Sequence, residues 1–265
     1  MLLPLLAVLM CLSLKASDTV KIASDLTSIS VLIRTTNVAG SGTIFVRKDS
    51  TGTNDITFVW TAAHVILEDT TKFLMELGPF HLWFDPDCDT NKVVKQSIAA
   101  LQFVVKDGRM TTTNRATAKV IAYNDDEDLA LLRVEGNPYS NSVSFYLGKE
   151  IPPVGTELFS VSSPFAFTGA SSFSVGMISF VGRIHDNNVF DQTTLVVYPG
   201  SSGGGVHRAD EKYIGMCVIS IASQMNFIIP VRRMLDWVKK EHIEWAMNPD
   251  VEIPNETILQ SLVKH

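Results

Sequence analysis

Three short stretches carry side chains that can do covalent chemistry together: Thr61-Ala62-Ala63-His64, Asp128-Leu129-Ala130-Leu131-Leu132 and Gly200-Ser201-Ser202-Gly203-Gly204-Gly205. A serine hydroxyl is a poor nucleophile at neutral pH and needs a base within hydrogen-bond reach. Histidine can take that proton, because its reference pKa of about 6.5 lies near neutrality. A carboxylate must then fix the imidazole tautomer and stabilise the imidazolium that forms. Glycines around Ser202 let the backbone bend and aim its N–H groups at a developing oxyanion. The three stretches supply each part once, with Ser202 as nucleophile, His64 as general base and Asp128 as orienting acid.

Each stretch also has a plainer reading. His64 can be an ordinary strand-end residue, Asp128 a turn residue or cap, and the Gly-Ser run a flexible loop. Asp125, Asp126 and Glu127 compete with Asp128 for the acid's role. What separates the readings is the joint occurrence, in the order His, Asp, Ser, each beside a strand.

The elements that must position these residues are mostly strands. Short apolar runs at 28–35, 42–47, 56–61, 118–122, 129–134, 157–162, 174–181, 194–198, 214–221 and 227–229 are punctuated by Gly, Pro, Asn and Asp. Their spacing predicts an all-β barrel or sandwich rather than alternating βαβ units. A helix is expected after Pro230, a residue suited to the first helical position. Val231, Met234, Leu235, Val238 and Trp245 share one face of it, and Pro249 stops it. A polar break at Glu135–Ser142, followed by Pro152-Pro153, separates these runs five and five and marks the join between two lobes. Ile66–Gln96 reads as a long insertion after His64.

Composition bounds the function. The chain has 265 residues, 46% apolar and 19% charged, with a net charge of −6. That suits a globular protein with a sizeable core and offers no basic stripe for a nucleic-acid backbone. Met1–Leu14 is apolar apart from Pro4 and Ser13, too short to span a bilayer but suited to the core of a signal peptide. Cleavage after Ala16 would then export the protein; the competing reading is a buried or membrane-lying N-terminal helix. Cys217 lies in an apolar run and is expected to pack as a small hydrophobe, and its pairing with Cys88 stays open. Asp85–Asp89 begins like a calcium loop, but Thr90 and Gln96 stand where the turn glycine and bidentate glutamate belong. No histidine has metal-ligand spacing, and no cofactor is called for. Asn255-Glu256-Thr257 is a glycosylation sequon in a eukaryotic secretory setting.

With these motifs in order, the sequence resembles the chymotrypsin-like serine proteases, and among them the HtrA/Deg-type branch. The resemblance runs from about Ser28 to Lys240. It includes Gly40-Ser41-Gly42, the histidine motif, the Asp-x-Ala-x-Leu strand, Ser174–Ser179, the nucleophile loop and Phe227–Pro230. Ser201 stands where the family usually has Asn or Asp, and Gly205 where Pro is common. The resemblance implies two six-stranded antiparallel barrels with the site in the cleft between them. It sets the first barrel at 25–150 with the insertion at 66–96, the second at 151–230, the helix at 231–247 and a tail at 248–265. It implies an oxyanion hole from the N–H groups of Gly200 and Ser202, and Val196 at the base of the primary pocket. Ile219, Ile221 and Phe227 are further wall residues. A polypeptide bound extended beside Ile219–Ala222 is the expected substrate, with small or aliphatic P1 residues favoured and charged ones disfavoured. Only 35 residues follow Pro230, too few for the PDZ domain that HtrA proteins often carry. Two rivals remain: an inactive protease-like binding scaffold, and an esterase or lipase built on Gly200-x-Ser202-x-Gly204. An α/β-hydrolase needs its acid and histidine after the serine, where only His207, His242 and His265 lie.

Overall fold

β-Branched and aromatic runs become strands, as their fit to a pleated surface dictates. The computed structural model describes residues 18–69, 92–94, 97–106, 109–136, 138–222 and 224–262. Helical residues 18–28 (α1) lead into β1 (Ser30–Arg34), β2 (Ala39–Lys48) and β3 (Asp55–Thr61). A single helical turn, α2 (Ala63–Ile66), precedes β4 (Leu67–Asp69) and β5 (Lys92–Val94). β6 (Ile98–Lys106), β7 (Arg109–Asn124) and β8 (Leu129–Val134) complete the first half, and β1-β2-β3-β8-β7-β6 close into an antiparallel barrel.

The second half runs through β9 (Ser144–Phe145), β10 (Glu157–Ser162), β11 (Ser172–His185), β12 (Asn188–Thr193), β13 (Gly205–His207), β14 (Lys212–Ala222) and β15 (Met225–Pro230). Its sheet order is β13-β10-β11-β12-β15-β14-β9, and a β13–β14 pairing closes six of these strands into a second ring, with β9 outside it. β9 adds in parallel beside Lys212 and Tyr213, so a strand from the connector stitches the halves together. The helix α3 (Val231–Lys240), a 3₁₀ turn at Glu244–Ala246 and α4 (Glu256–Ser261) then cross back over the first barrel.

β3 is buried on both faces because its outer face lies under that C-terminal segment. Trp60 meets Trp237 edge-on at 5.7 Å, and its indole N–H donates to Ala246 O at 3.1 Å. Phe58 packs on Trp245 at 5.2 Å. The Arg47 guanidinium holds the same segment by donating to the carbonyls of Trp245, Asn248, Pro249 and Val251. Removing either buried tryptophan is worth roughly 3–5 kcal/mol by the usual cost of such cavities.

Two expectations are corrected. The helix expected over 231–247 ends at Lys240, short of Pro249, and Trp245 continues its apolar face from the 3₁₀ turn instead. His242 adopts φ +57°, His242 N–H bonds Lys239 O and Ile243 N–H bonds Val238 O at 2.8 Å. That is a Schellman stop with histidine where glycine is usual, so nothing in the sequence announced it. The run 194–198 is not a strand; β12 ends just before it. Thr194 N–H still meets Met177 O at 3.0 Å, but the next donors go to side chains: Leu195 N–H to Thr193 Oγ1 (2.7 Å) and Val196 N–H to Ser174 Oγ (3.1 Å). Side-chain acceptors of this kind compete with a ladder.

The leader, Cys88, the calcium-like stretch Asp85–Asp89 and most of the insertion lie outside the described residues. The insertion's roots are fixed, since Leu67–Asp69 pairs antiparallel with Lys92–Val94 directly after the His64 turn. Among the described residues no helix is long and apolar enough to cross a membrane.

Candidate active site

His64 leaves β3 through Ala62 and Ala63, both fully buried, so only small residues fit between the barrel wall and the turn α2. The Asp128 carboxylate takes two bonds from it. Oδ1 accepts the His64 backbone N–H at 3.0 Å, and Oδ2 lies 2.8 Å from Nδ1. A carboxylate accepts, so Nδ1 carries the proton and Nε2 keeps its lone pair. Asp128 O also accepts from Ala63 N–H at 3.2 Å, which fixes the two segments at main-chain level as well. Asp128 holds φ +54°, a left-handed conformation that aspartate tolerates better than most residues. Of its neighbours, Asp125 and Asp126 are exposed and Glu127 pairs with Arg233 at 2.5 Å.

The adjacent serines differ sharply. Ser201 is fully buried, and its Oγ accepts from Tyr198 N–H and from the Ser162 hydroxyl, both at 3.2 Å. Ser202 is half-buried, and its hydroxyl donates to Val218 O at 3.3 Å. Around it the backbone donors divide into two sets. Ser201 N–H bonds Tyr198 O, Gly203 N–H bonds Cys217 O and Gly204 N–H bonds Ser201 O. The N–H groups of Gly200 and Ser202 make no hydrogen bond among the described residues. Both residues are half-buried, and open donors at these two positions are what the oxyanion-hole expectation requires.

Glycine is required at two places here. Gly203 sits at φ +90°, and a Cβ on it would fall 2.1 Å from Ser41 O and 2.5 Å from Thr61 Oγ1. Gly200 sits at φ +96°, and its Cβ would fall 2.5 Å from Ser163 O. These close approaches let Ser41 bind the loop directly. Ser41 N–H donates to Ser202 O at 2.7 Å, and Ser41 Oγ donates to Gly200 O at 2.8 Å. Ser41 Oγ also accepts Ser163 N–H at 2.8 Å. Ser41 therefore ties the first barrel to both sides of Ser202. Its place in Gly40-Ser41-Gly42 was legible, but its bonding was not.

Of the expected pocket residues, Val196 and Ile221 are about half exposed, and Ile219 is partly buried. Phe227 is 3% exposed and stacks on Phe190 at 5.9 Å inside the second ring. Beyond Val218 the edge of β14 that pairs with β13 has no strand partner among the described residues. Cys217 is buried beside Ser160, and burial pushes its thiol up to about 12, which keeps it unreactive. Among the described residues no group of three His, Cys, Asp or Glu could hold a metal ion.

The solved structures similar to this chain share its architecture. The crystal structure of Deg5 matches with a TM-score of 0.60 at 18% identity, covering 88% of this chain and 98% of that one. The serine endoprotease from Yersinia pestis matches with a TM-score of 0.58 at 18% identity, covering 84% and 65%. Curated relatives are named probable periplasmic serine endoprotease DegP-like. The one from Hahella chejuensis is 30% identical over 159 residues, 51% of this chain and 32% of its own length. One from Pseudomonas putida is 30% identical over 112 residues, 41% of this chain and 22% of its own. The chain thus spans about a third or less of the length of the curated relatives it matches. Residues 40–216, from the Ser41 tie through Ser202 to β14, match the trypsin-like peptidase domain, and the chain belongs to that family.

Proposed function

We propose that the protein is a serine endopeptidase in which Ser202 attacks the peptide carbonyl, His64 takes and returns the proton, and Asp128 orients His64. The observation that carries this reading is the 2.8 Å contact between Asp128 Oδ2 and His64 Nδ1, which leaves Nε2 as the base. In the reaction the Ser202 hydroxyl turns from Val218 O toward Nε2 and gives up its proton as its oxygen bonds the carbonyl carbon. The resulting oxyanion is taken by the N–H groups of Gly200 and Ser202. Each such donor is worth about 3 kcal/mol to a transition state of this kind. The imidazolium then protonates the leaving amine, and water, deprotonated by the same nitrogen, hydrolyses the acyl-enzyme.

The open edge of β14 after Val218 supports an extended polypeptide binding by strand addition beside Ile219–Ala222. Val196 and Ile221 offer apolar, accessible surface there. A charged P1 side chain would lose water without gaining a counter-ion, so small and aliphatic P1 residues are favoured. Phe227, being buried, would support the pocket from behind rather than touch substrate. Export belongs to this reading as well, in keeping with the relatives named periplasmic and with the apolar N-terminus.

A fluorophosphonate probe tests the chemistry directly. Wild type should label and Ser202→Ala should not, whereas an unlabelled wild type would leave the chain a protease-like scaffold. Cleavage-site profiling on a denatured protein mixture tests the pocket. Enrichment of Arg or Lys at P1 would remove Val196 from its base.

A further inference from the structure

The turn that carries Asp128 is closed from within by only short bonds. Asp128 N–H meets Asp125 O at 3.1 Å, and Glu127 N–H meets Asn124 Oδ1 at 2.8 Å. Its outward carbonyls and the Glu127 carboxylate are held by residues from other parts of the chain. Arg233, on the first turn of α3, donates from Nε to Glu127 Oε2 at 2.5 Å and from Nη2 to Glu127 O at 3.1 Å. The same Nη2 lies 3.4 Å from Asp126 O. Asn188, which opens β12, donates its amide to Asp126 O at 2.7 Å.

Both braces are themselves built rigidly. Arg233 is 9% exposed and its guanidinium lies 4.9 Å from the centre of the Phe190 ring, which in turn stacks on Phe227. A buried guanidinium is stable only with its acceptors in place, so the ion and the turn hold each other. Asn188 follows a two-residue hairpin turn at Asp186 (φ 47°) and Asn187 (φ 61°), closed by the His185–Asn188 pair. Positive φ at both central residues is the turn that matches strand twist, so the hairpin tip is a stiff point of attachment.

We propose that Arg233 and Asn188 are positioning residues for the Asp128–His64 pair. This rests on the triad reading above and deepens it. The helix α3 and the β11–β12 hairpin both lie outside the first barrel, yet they fix the turn from which Asp128 reaches His64. Left-handed φ at a residue other than glycine carries a cost that surrounding contacts offset. Two carbonyls and one carboxylate gripped by a planar fork and an amide supply that constraint. Neither residue touches Ser202 or His64 in any contact described, so neither is catalytic.

The test compares Arg233→Lys and Asn188→Ala with wild type in the full chain. Lysine keeps the charge for Glu127 but cannot fork to the backbone carbonyls. Each change should lower kcat about 10-fold with KM nearly unchanged, the signature of a misplaced catalytic group rather than lost binding. The low-field proton resonance of His64 Nδ1, recorded in a Ser202→Ala background, should broaden or vanish. In an Asp128→Asn background Arg233→Lys should cost nothing further, because the group it positions is already lost. Unchanged kcat and resonance with a lowered Tm would overturn the proposal and leave Arg233 as an anchor of α3 alone. A full 10-fold loss persisting beside Asp128→Asn would overturn it too. Asn188→Ala removes one amide at the surface, so the question can be answered even where Arg233→Lys does not fold. The resonance needs no turnover. A failed fluorophosphonate labelling, which would sink the triad reading, is therefore distinguishable from an unmoved resonance, which would sink this one.

Discussion

The loop around Ser202 and the turn that carries Asp128 are held in different ways. Around Ser202 a main-chain frame (Ser201 to Tyr198, Gly204 to Ser201, and Gly203 and Gly204 to Cys217) is supplemented by the Ser41 and Ser201 hydroxyls. Ser41 adds its own backbone N–H to this set. Around Asp128 the outer bonds are side-chain to main-chain, from Arg233, more than a hundred residues away, and from Asn188. A loop built from its own backbone must contain the residue types that backbone demands. A turn braced by distant side chains need not declare its supports at all.

The largest expected effects break the comparison at its chemical centre. Ser202→Ala and His64→Ala should each lower kcat by about 10⁵ to 10⁶-fold, and the double variant should lose little more, because the groups act as a unit. Asp128→Asn should keep the fold and lower kcat by about 10⁴, since an amide favours the wrong imidazole tautomer. Steady-state kinetics on the three singles and the double decides this. Nearly multiplicative losses in the double variant would show that Ser202 and His64 do not share a step.

This contrast explains what was legible beforehand. Gly203 and Gly200 have positive φ and close backbone neighbours, so their loop stood out as glycines in the sequence. Ala62 and Ala63 were equally readable, because a buried path to His64 admits nothing larger. The two-barrel fold followed from strand periodicity and the family resemblance, and both rings of strands are present. The helix end at Lys240 was hidden because His242 does a glycine's work there. The irregular path of 194–198 was hidden because Thr193 and Ser174, themselves unremarkable in sequence, take its donors. Arg233 is buried and paired with Glu127, and nothing near it in the sequence announces that role. Periodicity cannot report a partner that far along the chain.

A steric substitution tests the main-chain side of the comparison. Gly203→Ala puts a methyl 2.1 Å from Ser41 O at φ +90°. The left-handed cost and the overpacking together should destabilise the fold by roughly 3–5 kcal/mol. Denaturant unfolding of the variant measures it. A loss under 1 kcal/mol would mean that the loop is far more yielding than its bonding implies. No single substitution of an exposed acid-turn side chain should approach this, because there the backbone has room.

A titration tests the same loop from beneath. His207 lies under it, with Nε2 only 2.8 Å from where a Gly205 Cβ would sit, and its Nδ1–H donates to Glu211 O at 3.1 Å. Full burial pushes its pKa down to about 4, below the unfolded value near 6.5. The unfolded chain therefore binds this proton first as the pH falls. Stability is unaffected above about 6.5 and declines as the pH drops from there to about 4, by roughly 3 kcal/mol for this group. Urea unfolding at a series of pH values should show that decline, and His207→Gln should flatten it. An unchanged slope in the variant would assign the acid sensitivity to other groups.

The smallest expected effects are at Ser201 and Asp126, near neighbours of Ser202 and Asp128. Ser201 is fully buried and its hydroxyl accepts from Tyr198 N–H and the Ser162 hydroxyl. Ser201→Ala removes the acceptor of the part-buried Tyr198 N–H and of the buried Ser162 hydroxyl, and should cost about 1–2 kcal/mol of stability. Because that hydroxyl points away from the cleft, kcat should stay within a few-fold of wild type. Asp126 is exposed, and the structure uses its carbonyl rather than its carboxylate. Asp126→Asn keeps that carbonyl, so stability should move by less than about 0.5 kcal/mol. Activity should again be nearly unchanged. The ratio of the two stability costs measures how much more a buried, backbone-built loop depends on each side chain than a turn held through its carbonyls. Abolished activity in Asp126→Asn would instead move the acid two residues back along the turn, and the contact between Asp128 and His64 would then be structural only.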